Sequence, residues 1–302
     1  MSRLRSPSRN AANARPAAKA GSRSFRPRPA LRTEAELARM LAAGQVVREA
    51  LDRAAAACVP GATTAEIDAA AARAIRDAGG QPLFLGYPSP DGAMPFPAVT
   101  CISVNEEVVH GIPGPRRVAD GDLVSIDCGV RLDGWCGDAA ITVAVGRVAP
   151  ERLALLAVAQ AMLDHAIASI RPGAAWSEIA AGMQAIALAD GHGILTDYVG
   201  HGIGRELHEA PQVPNALTEP WIRHGDFTLE PGMALAIEPM ITLRGGRADA
   251  RGHAIGVAVR RLDDGWTVAT ADGSPAVHVE HTVAVTAAGA RILTPVTAAP
   301  QR

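Results

Sequence analysis

Apolar and β-branched residues flank the polar dipeptide Asp133-Gly134 on both sides in the stretch Ser125 to Val145, SIDCGVRLDGWCGDAAITVAV. Such a run on each side of an Asp-Gly dipeptide predicts two strands joined by a tight turn. That register sets Leu132 opposite Trp135 and Gly129 opposite Asp138. Asp127 then shares a face with Gly129 and becomes a diagonal neighbour of Asp138, about 7–8 Å away at Cβ. Upstream the pattern is helical. Leu37, Met40, Leu41, Val46, Val47 and Leu51 predict a helix from Glu34 to Cys58, capped by Thr33 and broken at Val59-Pro60-Gly61. A second helix runs from Thr64 to Ala78 and stops at Gly79-Gly80. A Pro- and Gly-rich loop and the strand AVTCISV lead into the hairpin.

After Gly146 the order repeats. A helix from Pro150 to Ser169 meets Arg171-Pro172-Gly173, and another from Trp176 to Asp190 ends at Gly191. PGATTAEI at 60–67 matches PGAAWSEI at 172–179, and Gly79 matches Gly191, all at an offset of 112 residues. One large unit is therefore duplicated, which predicts two α+β halves about a pseudo-two-fold axis with a site at their junction. The second half offers strands at 228–241, 265–270 and 276–286, with LRGGRADARGHA between them read as a loop insertion.

Charge is distributed unevenly. Residues 1–33 hold nine basic groups and no acidic one, which leaves −11 on the remainder of a chain of formal net charge −2. This Arg-, Pro- and Ser-rich leader lacks apolar periodicity and is read as disordered, either a solvated tail, a polyanion-binding tail or a transit-like segment. No apolar run approaches the ~18 residues of a membrane span, and no signal-peptide core is present. Cys58, Cys101, Cys128 and Cys136 show no zinc-ribbon spacing, which suits a reduced, cytoplasmic protein.

Two inward carboxylates on apolar strands are either a metal site or a solvated hairpin face, and the hairpin alone leaves both open. Further polar groups stand in awkward places: His201 and His208 in YVGHGIGRELHEAP, Glu238 at the end of ALAIE, and Glu280 inside VHVEHTVAV. Each alone has a plain structural reading. Together, carboxylates and imidazole form the ligand set for Mn, Fe, Co or Zn.

The motifs CISVNEEVVHGIP (101–113), GDLVSIDCGV…GWCGD (121–138), GHGIGRELHEAP (200–211), LEPGMALAIEP (229–239) and VEHTVAVT (279–286) resemble those of type I methionine aminopeptidases. The resemblance spans roughly residues 35–290. It implies the α+β pita-bread fold, with antiparallel sheet covered by helices. It divides the chain into a leader (1–33), one catalytic body (34–292, halves about 34–147 and 148–292) and a tail (293–302). It implies that Asp127, Asp138, His201, Glu238 and Glu280 hold two divalent ions, Asp138 and Glu280 bridging them. A hydroxide between the ions would attack the carbonyl after an N-terminal methionine followed by a small residue. His110 and His208 would bind substrate and steady the developing oxyanion, and Glu238 would pass the proton. Tyr87, Phe96, Cys101, His110, Leu207 and Trp266 would shape the methionine pocket. The implied partners are nascent polypeptides, with ribosome contact through the leader, no membrane and no specific nucleic acid; the implied state is a monomer.

Departures from the pattern are a longer loop at 88–95, Leu207 where an aromatic is common, and an insertion at 244–253. Cys136 and His278 sit two residues before Asp138 and Glu280 on the same strand faces. They are read either as groups adjusting the metal or, by preference, as packing variation. The rival readings are an X-Pro aminopeptidase or prolidase of the same fold, and a non-catalytic relative that docks on RNA or ribosomes.

Overall fold

The computed structural model describes residues 29–89, 92 and 94–296; residues 1–28 of the leader and 297–302 of the tail lie outside this range. Helix α1 spans Glu34–Ala57 and α2 Thr64–Asp77. Both carry capping boxes, in which Thr33 and Thr63 accept from the backbone of Glu36 and Glu66 while the glutamates reach back. The duplicate pair is α3, Pro150–Ser169, and α4, Trp176–Ala189. Here the repeat has diverged. Ala175 cannot cap α4, and Asp226 instead accepts from the Ser177 amide at 3.0 Å. A short helix α5, Glu219–His224, adds to the elements expected from the sequence.

The hairpin forms in the expected register. Strands Leu123–Leu132 and Trp135–Ala144 pair Leu132 with Trp135, Gly129 with Asp138 and Asp127 with Ala140. Asp133 and Gly134 take positive φ of 49° and 76°, as a two-residue turn of this hand requires. All named ladders are antiparallel, but they are divided among four sheets. Helices α1 and α2 bury Val47, Leu51, Ile67 and Ile75 against the hairpin side. Helices α3 and α4 bury Leu155, Met162, Trp176 and Met183 against the sheets of the second half. Each half thus has its own core. Among the described residues no helix is long and apolar enough to cross a membrane.

Two expected strands are each two. The run 228–241 divides into Ala234–Ile237 and Met240–Gly245, in different sheets. Pro239 has no N–H to give the ladder, so pairing stops there and the chain changes sheet. The run 276–286 divides likewise into Ala276–His278 and His281–Thr286. The strand through Gly245 also enters the segment read as a loop insertion. The body extends past 292, because Leu293 and Thr294 are buried and Thr294 bonds His281 and the Thr282 amide. At the other end Arg32, assigned to the leader, is ion-paired with Glu209.

Candidate metal centre

The two sheet crossings lie side by side, with the Val279 amide donating to the Pro239 carbonyl at 3.3 Å. Glu238 occupies one crossing and Glu280 the other. Both side chains therefore leave the ladders and turn toward the hairpin, where the Glu280 amide donates to the Ala140 carbonyl at 2.9 Å. His201 comes from the strand Gly200–Gly202, wedged between two neighbours. A Cβ on Gly202 would lie 2.2 Å from the Ala210 carbonyl oxygen, and one on Gly200 2.3 Å from that of Ala236. Only glycine on each side lets this strand press His201 so far inward.

The His201 ring has one assignable tautomer. Its Nδ1 lies 3.0 Å from the Gly202 carbonyl oxygen, which can only accept, so Nδ1 carries the proton. The Nε2 lone pair then faces carboxylate oxygens, at 3.6 Å from Glu238 and 3.9 Å from Asp138. Asp138, His201 and Glu280 each offer a ligand atom, all within 4.8 Å of one another. Oxygens of Asp127, Asp138 and Glu280 are buried without a hydrogen-bond partner. Acceptors that converge on one point must be bridged by protons or by a cation.

The electrostatics agree. Burial pushes Asp138 up to about 7 and Glu238 up to about 8. Asp127 and Glu280 rise well above the ordinary carboxylate range, first from burial and then from neighbouring carboxylates. Burial lowers His201 and His110 to about 4, so both rings are neutral near pH 7. Without a cation the centre must hold protons; divalent charge would replace them.

These groups line one cavity of about 300 Å³. All the residues that the sequence reading nominated open onto it: Tyr87, Phe96, Cys101, His110, Asp127, Asp138, His201, Leu207, His208, Glu238, Trp266 and Glu280. His208 stands beside His201, with ring centroids 4.3 Å apart, and Tyr87 Oη meets its Nδ1 at 2.8 Å. His110 takes a positive φ of 59° at the end of its strand and lies edge-on to Tyr198 and Trp266. Trp266 packs edge-on against Phe96 and donates its indole N–H to the Met94 carbonyl, tying the longer loop to the rim.

The cavity also takes in Phe84, Tyr198 and His278. The chain has two tyrosines, and both line this wall; Tyr198 stands three residues before His201. Phe84 carried no signal. Cys136 and His278, equal on sequence grounds, part company. Cys136 lies away from the cavity lining, its Sγ donating to the Arg205 carbonyl at 3.4 Å, and burial raises it to about 11. His278 faces the centre.

The sequence pattern of metallopeptidase family M24 matches residues 38–287. Methionine aminopeptidase 1 of Mycobacterium tuberculosis is 44% identical over 270 residues, covering 87% of this chain and 94% of that one. The crystal structure of methionine aminopeptidase from Thermotoga maritima superposes with a TM-score of 0.78 at 37% identity, over 88% of this chain and 99% of its own. A prolidase from Pyrococcus furiosus shares the fold at TM-score 0.65 and 21% identity, over 89% of this chain and 66% of its own.

Proposed function

The chain belongs to metallopeptidase family M24 and removes N-terminal methionine, and from that premise we propose how its residues divide the work. Asp127, Asp138, His201, Glu238 and Glu280 would hold two divalent cations, with Asp138 and Glu280 placed to serve both. The donor set of carboxylates and neutral imidazole fits Mn, Fe, Co or Zn. Bound there, divalent ions lower the pKa of water and polarise a carbonyl oxygen. The observation that carries this reading is the His201 tautomer, which leaves Nε2 as a bare acceptor among acceptors.

The protein's own groups do the rest. Phe84, Tyr87, Phe96, Leu207 and Trp266 form an apolar wall of the size that suits a thioether side chain and exclude bulk water. His110 and His208, both neutral and bordering the carboxylates, donate N–H to the carbonyl oxygen as it gains charge. Tyr87 Oη fixes the orientation of the His208 ring. Glu238, pushed up by burial, carries a proton toward the departing amine.

The substrate is the N-terminus of a new polypeptide, met in the cytoplasm by a monomer; the four free cysteines suit a reducing compartment. The basic leader gives reason for ribosome contact, tested by salt-dependent cosedimentation before and after deletion of residues 1–28. The deciding experiment adds each metal to chelated enzyme and measures release from Met-Ala-Ser and from a Gly-Pro dipeptide. Metal-restored cleavage of the first is expected. Efficient cleavage of only the second would move the chain to the X-Pro branch, and a metal-replete protein that cleaves neither would support a binding role.

A further inference from the structure

His278 is not used above. The residue is 2% exposed, and its Nε2 has no hydrogen-bond partner. That nitrogen lies 3.9 Å from Glu238 Oε2 and 3.8 Å from Glu280 Oε2. A charge-assisted hydrogen bond would draw such pairs to about 2.7–2.9 Å. The spacing instead suits donor atoms arranged around a common centre. Glu238 is thereby flanked on both oxygens, since its Oε1 faces His201 Nε2 at 3.6 Å.

The position is built. The His278 amide donates to Ser125 Oγ and Thr142 Oγ1, both at 3.2 Å, and its carbonyl accepts from Thr142 Oγ1 at 2.8 Å. Ser125 and Thr142 are in turn bonded to each other across the hairpin at 2.8 Å. His278 also pairs with Met240, on the strand that begins just after Glu238. The hairpin and both sheet crossings thus converge to hold one buried imidazole against two carboxylates.

We propose that His278 is an additional protein ligand of this centre, its Nε2 joining Glu238 and Glu280 on the cation that His201 also serves. The inference rests on the metal reading above and deepens it. A second imidazole makes the shell richer in nitrogen. That favours cobalt, nickel and zinc over manganese, which prefers oxygen donors.

The test uses the full chain stripped of metal and titrated with cobalt(II). Calorimetry gives affinity, and proton NMR counts the exchangeable imidazole N–H signals shifted by the paramagnetic ion. Wild type is expected to show two such signals. His278→Gln should lose one, weaken one cobalt by about 10-fold or more, and weaken manganese less. Circular dichroism checks that the variant is folded; if it is not, the wild-type signal count decides by itself, a single signal overturning the proposal. Unchanged signals and affinity in folded His278→Gln would overturn the role of His278 and leave the centre standing. Failure of wild type to take up cobalt would remove both readings.

Discussion

Thr282 holds the backbone of Asp138 at both ends: its Oγ1 accepts from the Asp138 amide at 3.0 Å and donates to the Asp138 carbonyl at 2.7 Å. The two residues come from opposite halves of the duplicated chain, and both are buried. Thr282→Val leaves a buried N–H and C=O unpaired, so we expect a loss of about 2–4 kcal/mol in denaturant unfolding. Metal retention should fall as well, because Asp138 is no longer held in place. Unchanged stability and metal content would show that the bond pair is incidental.

Asp138→Asn and Glu280→Gln preserve shape but remove the charge at the positions assigned to both ions. Each should lower metal affinity by more than about 100-fold, beyond what outer-shell changes do. Elemental analysis of dialysed protein reads the result, with near-native circular dichroism as the control. A fully loaded Asp138→Asn protein would contradict the assignment.

Chelated protein should lose stability as pH rises. Burial raises the folded pKa values of Asp138 and Glu238 to about 7 and about 8, from ordinary values of 3.8 and 4.5. At these two groups the folded state binds more protons than the unfolded state, while His201 and His110, lowered to about 4, bind fewer below about pH 6.5; above that the carboxylates act alone, and stability falls from about pH 6.5 to pH 8. Unfolding midpoints with chelator at about pH 6.5 and pH 8 test this, the lower pH being the more stable. Saturating cobalt should abolish or reverse the difference, since bound cation favours the ionised forms.

His208→Ala should separate chemistry from metal binding. The ring is assigned to the substrate oxyanion and not to an ion. We expect kcat to fall by about 100- to 1,000-fold with full metal content. Tyr87→Phe, which removes only the bond to His208 Nδ1, should have a smaller effect in the same direction.

Trp266→Ala widens the apolar wall and frees the Met94 carbonyl from its indole partner. The expected result is a kcat/KM on Met-Ala-Ser lower by about 10- to 200-fold, with larger first residues tolerated better relative to methionine. Equal losses for all first residues would place Trp266 outside the specificity wall.

Where local chemistry decides the structure, the chain could be read directly. Asp133-Gly134 fixed the hairpin register, and with it the diagonal pairing of Asp127 and Asp138. Thr33 and Thr63 marked helix starts through their capping boxes. The sheet crossings at Glu238-Pro239 and Val279-Glu280 were hidden because apolar residues continue on both sides, and alternation does not report a change of sheet. Cys136 and His278 differ for a tertiary reason alone. The loop carrying Gly204 and Arg205 covers Cys136, its Gly204 carbonyl taking the Cys136 amide at 2.8 Å. The buried ring of His278 instead lines the cavity. Phe84 joins the wall only through the three-dimensional path of its loop.

The clasp between Asp138 and Thr282 also bears on timing. The hairpin is made early in synthesis, whereas His278, Glu280 and Thr282 follow near the end of the body. A growing chain that has reached only residue 270 already owns Asp127, Asp138, His201 and Glu238, yet lacks the last carboxylate and the bonds that hold Asp138 still. On the ligand assignment proposed above, activity is expected only once the final strands have been made.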